Sequence, residues 1–230
     1  GFLNVVEAAR AADVRRVVNL SSASAYGAAG FGDTWLDEAS TPPDPRNLYG
    51  LTKFASERLG ARLAELWGLD VRSLRLSAVF GPWERATGVR DTLSPPFQVA
   101  EALLAGQPAL LERHDVRDWL YAPDVAAAVH ALLMHPAPRF DLYNVSLGAT
   151  YDLRAWGERL ARALGGGEVR LAAPGETPNV RSHGAVSRQP MRVERMRDDL
   201  GLTAAFDLER SAAHYADWAK EHQAYVLGRG

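Results

Sequence analysis

Apolar residues recur at helical spacing from the start of the chain. In GFLNVVEAARAADV, Phe2, Val5, Val6 and Ala9 share one stripe, the 3.6-residue period of an amphipathic helix. The spacing predicts a helix over residues 2–12. No start signal precedes it, so the chain reads as opening inside an element, with a segment expected upstream of Gly1. RRVVNLSS is a short β-branched run that predicts a buried strand ending at Ser21 and Ser22. A loop rich in Gly, Ser and Pro follows, from Ala23 to about Asn47. LYGLTKFASERLGARLAELWG then predicts a long helix with Leu51, Phe54, Leu59, Leu63 and Leu66 facing inward, stopped by Gly68. VRSLRLSAVFG reads as a second buried strand, ended by Gly81 and Pro82. Helix, strand, helix, strand is the order of right-handed βαβ units around a parallel sheet.

The texture changes after Pro82. WERATGVRDTLSPP is a polar loop, FQVAEALLAG a helix, and PALLE a short strand. APDVAAAVHALLMH predicts a helix with Pro123 near its first turn, and DLYNVS a further strand. DLRAWGERLARALGGG predicts a helix that Asp152 caps and the glycines end. EVRLAA is a short strand, and the helices RVERMRDDLG and DLERSAAHYADWAKEH close the chain. The expected fold is α/β: a Rossmann-type doubly wound parallel sheet with its N-terminal part missing, plus a small C-terminal α/β substrate lobe. Residues 1–82 form the partial dinucleotide-binding domain, and 83–230 mainly the lobe, with segments around 115–146 returning to the core.

Composition narrows the class. The 230 residues, 47% apolar, suffice for one large domain or a domain with a small lobe. Lys and Arg (26) nearly balance Asp and Glu (28), which gives no charge argument for nucleic acid or an acidic membrane. The absence of cysteine excludes disulfides and thiolate metal sites, and fits a reducing, cytoplasmic compartment. The six histidines show no metal-ligand spacing and read as solvated or capping residues, so no metal is expected. No apolar run approaches the ~20 residues of a membrane span, and no signal peptide is visible.

The chemistry concentrates in YGLTK, where Tyr49 and Lys53 stand at i and i+4 on one helix face. A free phenol ionises near pH 10, and an ammonium beside it favours the phenolate. Such a tyrosine can take a proton from an alcohol while hydride leaves the same carbon. The spacing alone is common in helices, so context has to carry it. Ser21 and Ser22 stand at the carboxyl end of the preceding strand, where open α/β sheets place their ligands. A hydroxyl there can bond the substrate oxygen; Ser21 reads as an ordinary strand-ending serine. Trp83, Trp119, Trp156 and Trp218 read as packing residues, although Trp83 follows the second strand closely enough to line a cleft. Arg181, Arg188 and Arg192 read as solvated charge.

VVNLSSASAYG, YGLTK, LRLSAVFGP, RDWLYAPDVA and YNVSLG, in that order, resemble the extended short-chain dehydrogenase/reductases, in particular the NAD-dependent epimerase/dehydratase branch. The likeness covers nearly the whole chain. It implies a Rossmann domain that binds NAD or NADP and a C-terminal lobe that binds a sugar or sugar nucleotide. By position, Tyr49 matches the catalytic tyrosine, Lys53 the lysine that also holds the nicotinamide ribose, and Ser22 the catalytic serine or threonine. Leu76, Ser77 and Ala78 fall where the backbone passes the nicotinamide. Ser24 falls beside Ser22 among the substrate-facing positions, as does Trp83. Arg117 matches an arginine that meets a nucleotide-sugar diphosphate in several members; pairing with Asp115 or Asp118 is the competing reading. Relatives pair through the first helix and the Tyr49 helix, which implies a homodimer.

The departures from the family pattern matter too. The glycine-rich turn that sets pyrophosphate on a helix N-terminus is absent, as is the acidic residue about 20 positions later. Gly27-Ala-Ala-Gly30-Phe-Gly32 imitates that turn but leads to no clear helix, so it reads as a decoy. Ala78 replaces an asparagine found in many nucleotide-sugar members, and ERHD replaces the usual GDG before the arginine motif. Ala23 and Ser24 stand where the dehydratases carry an acid pair, which argues against a 4,6-dehydratase. The expected activity is an epimerase-type hydride transfer on a sugar or nucleotide sugar. The alternatives are a net dehydrogenase of a non-nucleotide sugar, sugar acid or small hydroxy compound, and a non-catalytic NAD-binding protein or inactive fragment.

Overall fold

The computed structural model describes residues 1–85, 92–184 and 186–228. The middle of the polar loop expected after Pro82, residues 86–91, lies outside them. The chain opens with α1 (Phe2–Ala11), then β1 (Arg16–Ser22), α2 (Leu48–Trp67) and β2 (Asp70–Leu76). With β7 (Leu142–Val145), β1 and β2 form a parallel sheet in the order β1-β2-β7. Leu74, Tyr143 and Val145 of this sheet pack with Leu120, Ala128, Leu132 and Met196, all buried.

The apolar run read as one second strand is two. Ser77 interrupts it, donating its N–H to Val145 O (3.1 Å), and Ala78 N then turns to Asp118 O (3.2 Å). The continuation, β3 (Ala78–Phe80), leaves the first sheet and pairs in parallel with β6 (Trp119–Tyr121). The divergence opens a cleft at the carboxyl ends of β1 and β2. α4 (Ala122–Met134) follows β6, with Pro123 in its first turn.

α3 (Pro95–Leu104), α5 (Leu153–Leu164) and α7 (Leu208–Glu221) pack around a second core that includes Phe80, Phe97, Trp119, Trp156, Tyr215 and Trp218. Asp152 caps α5 by accepting from Arg154 N (2.9 Å), and Gly165 ends it in the left-handed region, as the sequence predicts. Short strand pairs adjoin this core: β4 (Ala109–Leu111) with β9 (Val169–Leu171), and β5 (Val116–Arg117) with β8 (Tyr151–Asp152). α6 (Glu194–Leu200) packs back on β7, and a short α8 (Gln223–Val226) follows α7. No helix among the described residues is long and apolar enough to cross a membrane.

The inward face expected for α2 is corrected. Its buried residues are Gly50, Glu57, Gly60 and Leu63, whereas Leu51, Leu59 and Leu66 are about half exposed. Small residues set the face: a Cβ at Gly60 would come within 3.0 Å of Val71 Cγ1 and 3.2 Å of Phe2 Cζ. Glycine there lets the helix lie directly on β2 and α1. In α1 only Val6 is buried, and Val5 of the expected stripe faces outward.

Candidate active site

Asn47 starts α2. Its side chain accepts from Gly50 N at 2.7 Å, which places Tyr49 in the first turn with its ring half exposed. Gly50 is required for space: a Cβ there would stand 2.5 Å from Ser24 O. The head of the helix therefore rests against the 3-10 turn at Ala23–Tyr26. That turn begins where Ser24 N donates to Ser22 Oγ (3.1 Å), a bond that occupies a lone pair of Ser22 and leaves its hydroxyl proton to point elsewhere. Ser22, Ser24, Tyr49, Leu76, Ser77, Ala78, Trp83 and Arg117 all line one cavity of about 1160 Å³. Lys53 is the expected site residue that does not line it. Its Nζ lies 5.6 Å from the Tyr49 ring centroid and donates to Leu20 O at 2.7 Å.

Ser21 turns away to a buried polar layer. Its hydroxyl donates to Glu57 on α2, and Glu57 holds Arg75 of β2 through two bonds of 2.9 and 2.6 Å. The Arg75 guanidinium sits 4.3 Å from the Tyr26 ring centroid, and Tyr26 donates to Asn144 Oδ1 (2.9 Å) on β7. Burial pushes the Tyr26 phenol above its ordinary value, with Arg75 opposing. This layer ties the strand that ends in Ser22 to the helix that carries Tyr49 and Lys53.

Arg117 pairs as the competing reading of the sequence expects, and it also lines the cavity. Its Nε donates to Asp115 Oδ1 (2.5 Å) and its Nη2 to His183 O (2.6 Å). Asp118 turns inward instead: it accepts from Ser146 Oγ, Leu147 N and Met191 N. Burial raises its carboxyl despite those bonds.

Arg188 corrects the expectation of a solvated charge. It is half-buried and lines the cavity, its Nε has no hydrogen-bond partner, and it makes no ion pair among the described residues. Burial, and then the Arg117 charge, push the guanidinium below its ordinary value, with Tyr49 opposing. Nothing in its sequence neighbourhood marked it out, because its neighbours in space, Phe31 and Arg117, are distant along the chain. Arg192 pairs at the surface with Glu194.

Trp119, Trp156 and Trp218 are buried, as the packing reading expects, whereas Trp83 is 60% exposed. Trp83 also holds φ at +66°, a costly conformation for a bulky residue. Tyr225 Oη donates to its carbonyl (3.0 Å), and the Trp218, His222 and Tyr225 rings stand steeply inclined to the indole.

The glycine-rich segment is no phosphate cradle. Gly27 N, Ala28 N and Gly30 N already donate to Ser24 O, Asp44 O and Gly27 O, so these amides are spent inside the protein. Gly27 is needed at φ +59°, where a Cβ would collide with Asp44 O. The next α-helix begins only at Leu48.

A parallel sheet with a serine at a strand end and a tyrosine at the following helix head, over one cleft, defines an α/β protein of Rossmann type. The chain belongs to the NAD dependent epimerase/dehydratase family, whose model matches residues 1–146. It is 25% identical to a dTDP-glucose 4,6-dehydratase of Xanthomonas campestris pv. campestris over 235 residues, covering 94% of this chain and 61% of that protein. It is 30% identical to a UDP-glucose 4-epimerase of Mycolicibacterium smegmatis over 168 residues, covering 72% and 51%. Among solved structures, it superposes on dTDP-glucose 4,6-dehydratase of Bacillus anthracis in complex with NAD with a TM-score of 0.77, at 18% identity and 100% and 69% coverage. UDP-glucose 4-epimerase of Thermotoga maritima with UDP-glucose gives a TM-score of 0.76, at 19% identity and 96% and 69% coverage. The chain thus spans about half to three-fifths of the length of these two curated relatives.

Proposed function

We propose that the cavity is the catalytic centre of an NAD(P)-dependent, epimerase-type oxidoreductase acting on a nucleotide sugar. The observation that carries this reading is that Ser22 and Tyr49 face one cavity with Leu76, Ser77 and Ala78. The residues present fit the nicotinamide end of the cofactor. Of the three Lys53 ammonium protons, the Leu20 carbonyl takes one, which leaves two for ribose hydroxyls. When bound, the cofactor supplies the hydride acceptor. Tyr49, acting as the phenolate, takes the proton from the substrate hydroxyl at its Oη and becomes the neutral phenol, and Lys53 sets a positive charge beside the ring that carries the negative charge before the transfer. The Ser22 hydroxyl donates to the same substrate oxygen and holds it toward Tyr49. Arg117 and Arg188 put two guanidinium groups on the cavity. Asp115 pairs with Arg117 and Arg113, and the two carboxylates that line the cavity, Glu84 and Asp118, bond Ser94 and Ser146, so the arginines are the groups there that suit an anion such as a diphosphate. Nucleotide sugars among the substrates of relatives support that class.

Ala23 and Ser24 supply no acid pair beside Ser22, which supports epimerisation over 4,6-dehydration. Ala78 at the cavity wall favours a second reading, a net dehydrogenase of a smaller hydroxy compound. One assay separates the two. With UDP-glucose and NAD, the epimerase reading predicts UDP-galactose with no net NADH, whereas NADH accumulating in stoichiometric amount with product overturns it. The half-exposed Leu51, Leu59 and Leu66 on α2 and Val5 on α1 supply the apolar face that a homodimer would cover.

A further inference from the structure

The Gly27–Gly32 segment, excluded above as a phosphate cradle, lies directly against Arg188. The Arg188 Cζ is 5.3 Å from the Phe31 ring centroid. A Cβ at Gly30 would stand 3.2 Å from Arg188 Cδ, 3.4 Å from Cγ and 3.5 Å from Nε. Gly30 is outside the left-handed region, so its lack of a side chain serves space and not backbone conformation. The backbones are joined as well: Gln189 N donates to Gly30 O (2.9 Å), Leu36 N to Pro190 O (2.9 Å) and Arg192 N to Leu36 O (2.8 Å). The Arg188 stem is thus held against a glycine and its cation against an aromatic ring. Phe31, Arg188 and Gln189 all line the cavity.

We propose that Gly30 and Phe31 are the seat of Arg188: they fix where its guanidinium meets the diphosphate of the substrate and so set the affinity for that group. The proposal rests on the reading of the cavity as a nucleotide-sugar site. Gly30 provides the room for the stem. Phe31 provides a face on which a planar cation stacks without being neutralised, so that the guanidinium keeps its charge toward the cavity. An acidic residue in place of Phe31 would quench the charge instead of presenting it.

The test is calorimetric titration with UDP, which needs no turnover, on variants checked for an unchanged circular dichroism spectrum. Arg188→Met removes a charge-assisted bond and weakens UDP about 10- to 100-fold. Phe31→Leu, at a half-exposed position that risks little for folding, weakens it about two- to five-fold. Gly30→Ala displaces the stem and weakens it about three-fold or more. The deciding readout is the double-mutant cycle. In the Arg188→Met background, Phe31→Leu causes no further loss if Phe31 acts through Arg188. Single Phe31 and Gly30 variants that bind UDP like the parent overturn the seat and leave the anion site standing. So does an equal Phe31→Leu loss in both backgrounds. An Arg188→Met protein that binds UDP like the parent overturns the diphosphate reading, and the seat with it.

Discussion

At the scale of single residues, the buried charges beneath the site are the most exposed to test. Glu57 and Arg75 are both almost fully buried and bond each other twice. Removing one partner leaves the other charge uncompensated in a low dielectric, which costs about 3–5 kcal/mol. Glu57→Ala is therefore expected to lower the urea midpoint strongly, and Glu57→Met with Arg75→Met to recover much of the loss. A double variant no more stable than the single one contradicts this. Asp199 gives a pH dependence. Burial alone would raise its carboxyl, but hydrogen bonds from Tyr143 and Arg139 prevail and hold it at about 2. The folded value lies below the ordinary 3.8, so the stabilisation is present above about pH 4 and is lost as the pH falls toward 2. Denaturation from pH 6 to 2 should show the advantage of the parent over Asp199→Asn narrowing across that window. A gap that stays constant to pH 2 rules this out.

At the scale of elements, α2 shows what a sequence reveals and what it hides. Its ends were legible: the loop expected to run to about Asn47 and the stop at Gly68 match the observed helix, which Asn47 caps and Gly68 ends in the left-handed region. The buried face was not, because periodicity counts apolar residues while the packing uses Gly50, Glu57 and Gly60. A glycine marks close approach only when its neighbour is known, and Ser24 and Val71 are distant along the chain. The break at Ser77 was hidden likewise, since Ser77 N bonds Val145 of β7 while Ala78 N bonds Asp118, between β5 and β6. Tyr49 and Ser22 were singled out by their element boundaries and the order of the motifs around them, and both line the cavity. Arg188 lies in a segment with no such signal. Gly50→Ala tests the close contact: the carbonyl at 2.5 Å must move, shifting Tyr49 against Ser22. The expected result is a fall in kcat of about 10-fold or more with the fold retained, because misplacement of about 1 Å costs this much. Unchanged kcat would show that the helix head is not held by that contact.

At the scale of the whole molecule, two packed regions meet along the cleft where β2 gives way to β3, and the candidate site lies on that line. The outward face of α1 and α2 leads to a prediction about assembly. Leu59→Glu is expected to shift the protein from dimer to monomer in sedimentation velocity, with an unchanged circular dichroism spectrum. A parent that sediments as a monomer throughout contradicts the proposed pairing. In the proposed reaction Tyr49 is the proton acceptor, Ser22 orients the substrate oxygen and Lys53 assists. The most direct test of this is the turnover of UDP-glucose with NAD by the parent and by Tyr49→Phe, which removes one oxygen and nothing else. The expected result is a fall in kcat of about 10²- to 10⁴-fold, the range for a lost general base, with KM little changed. A Tyr49→Phe protein that turns over within two-fold of the parent would contradict it.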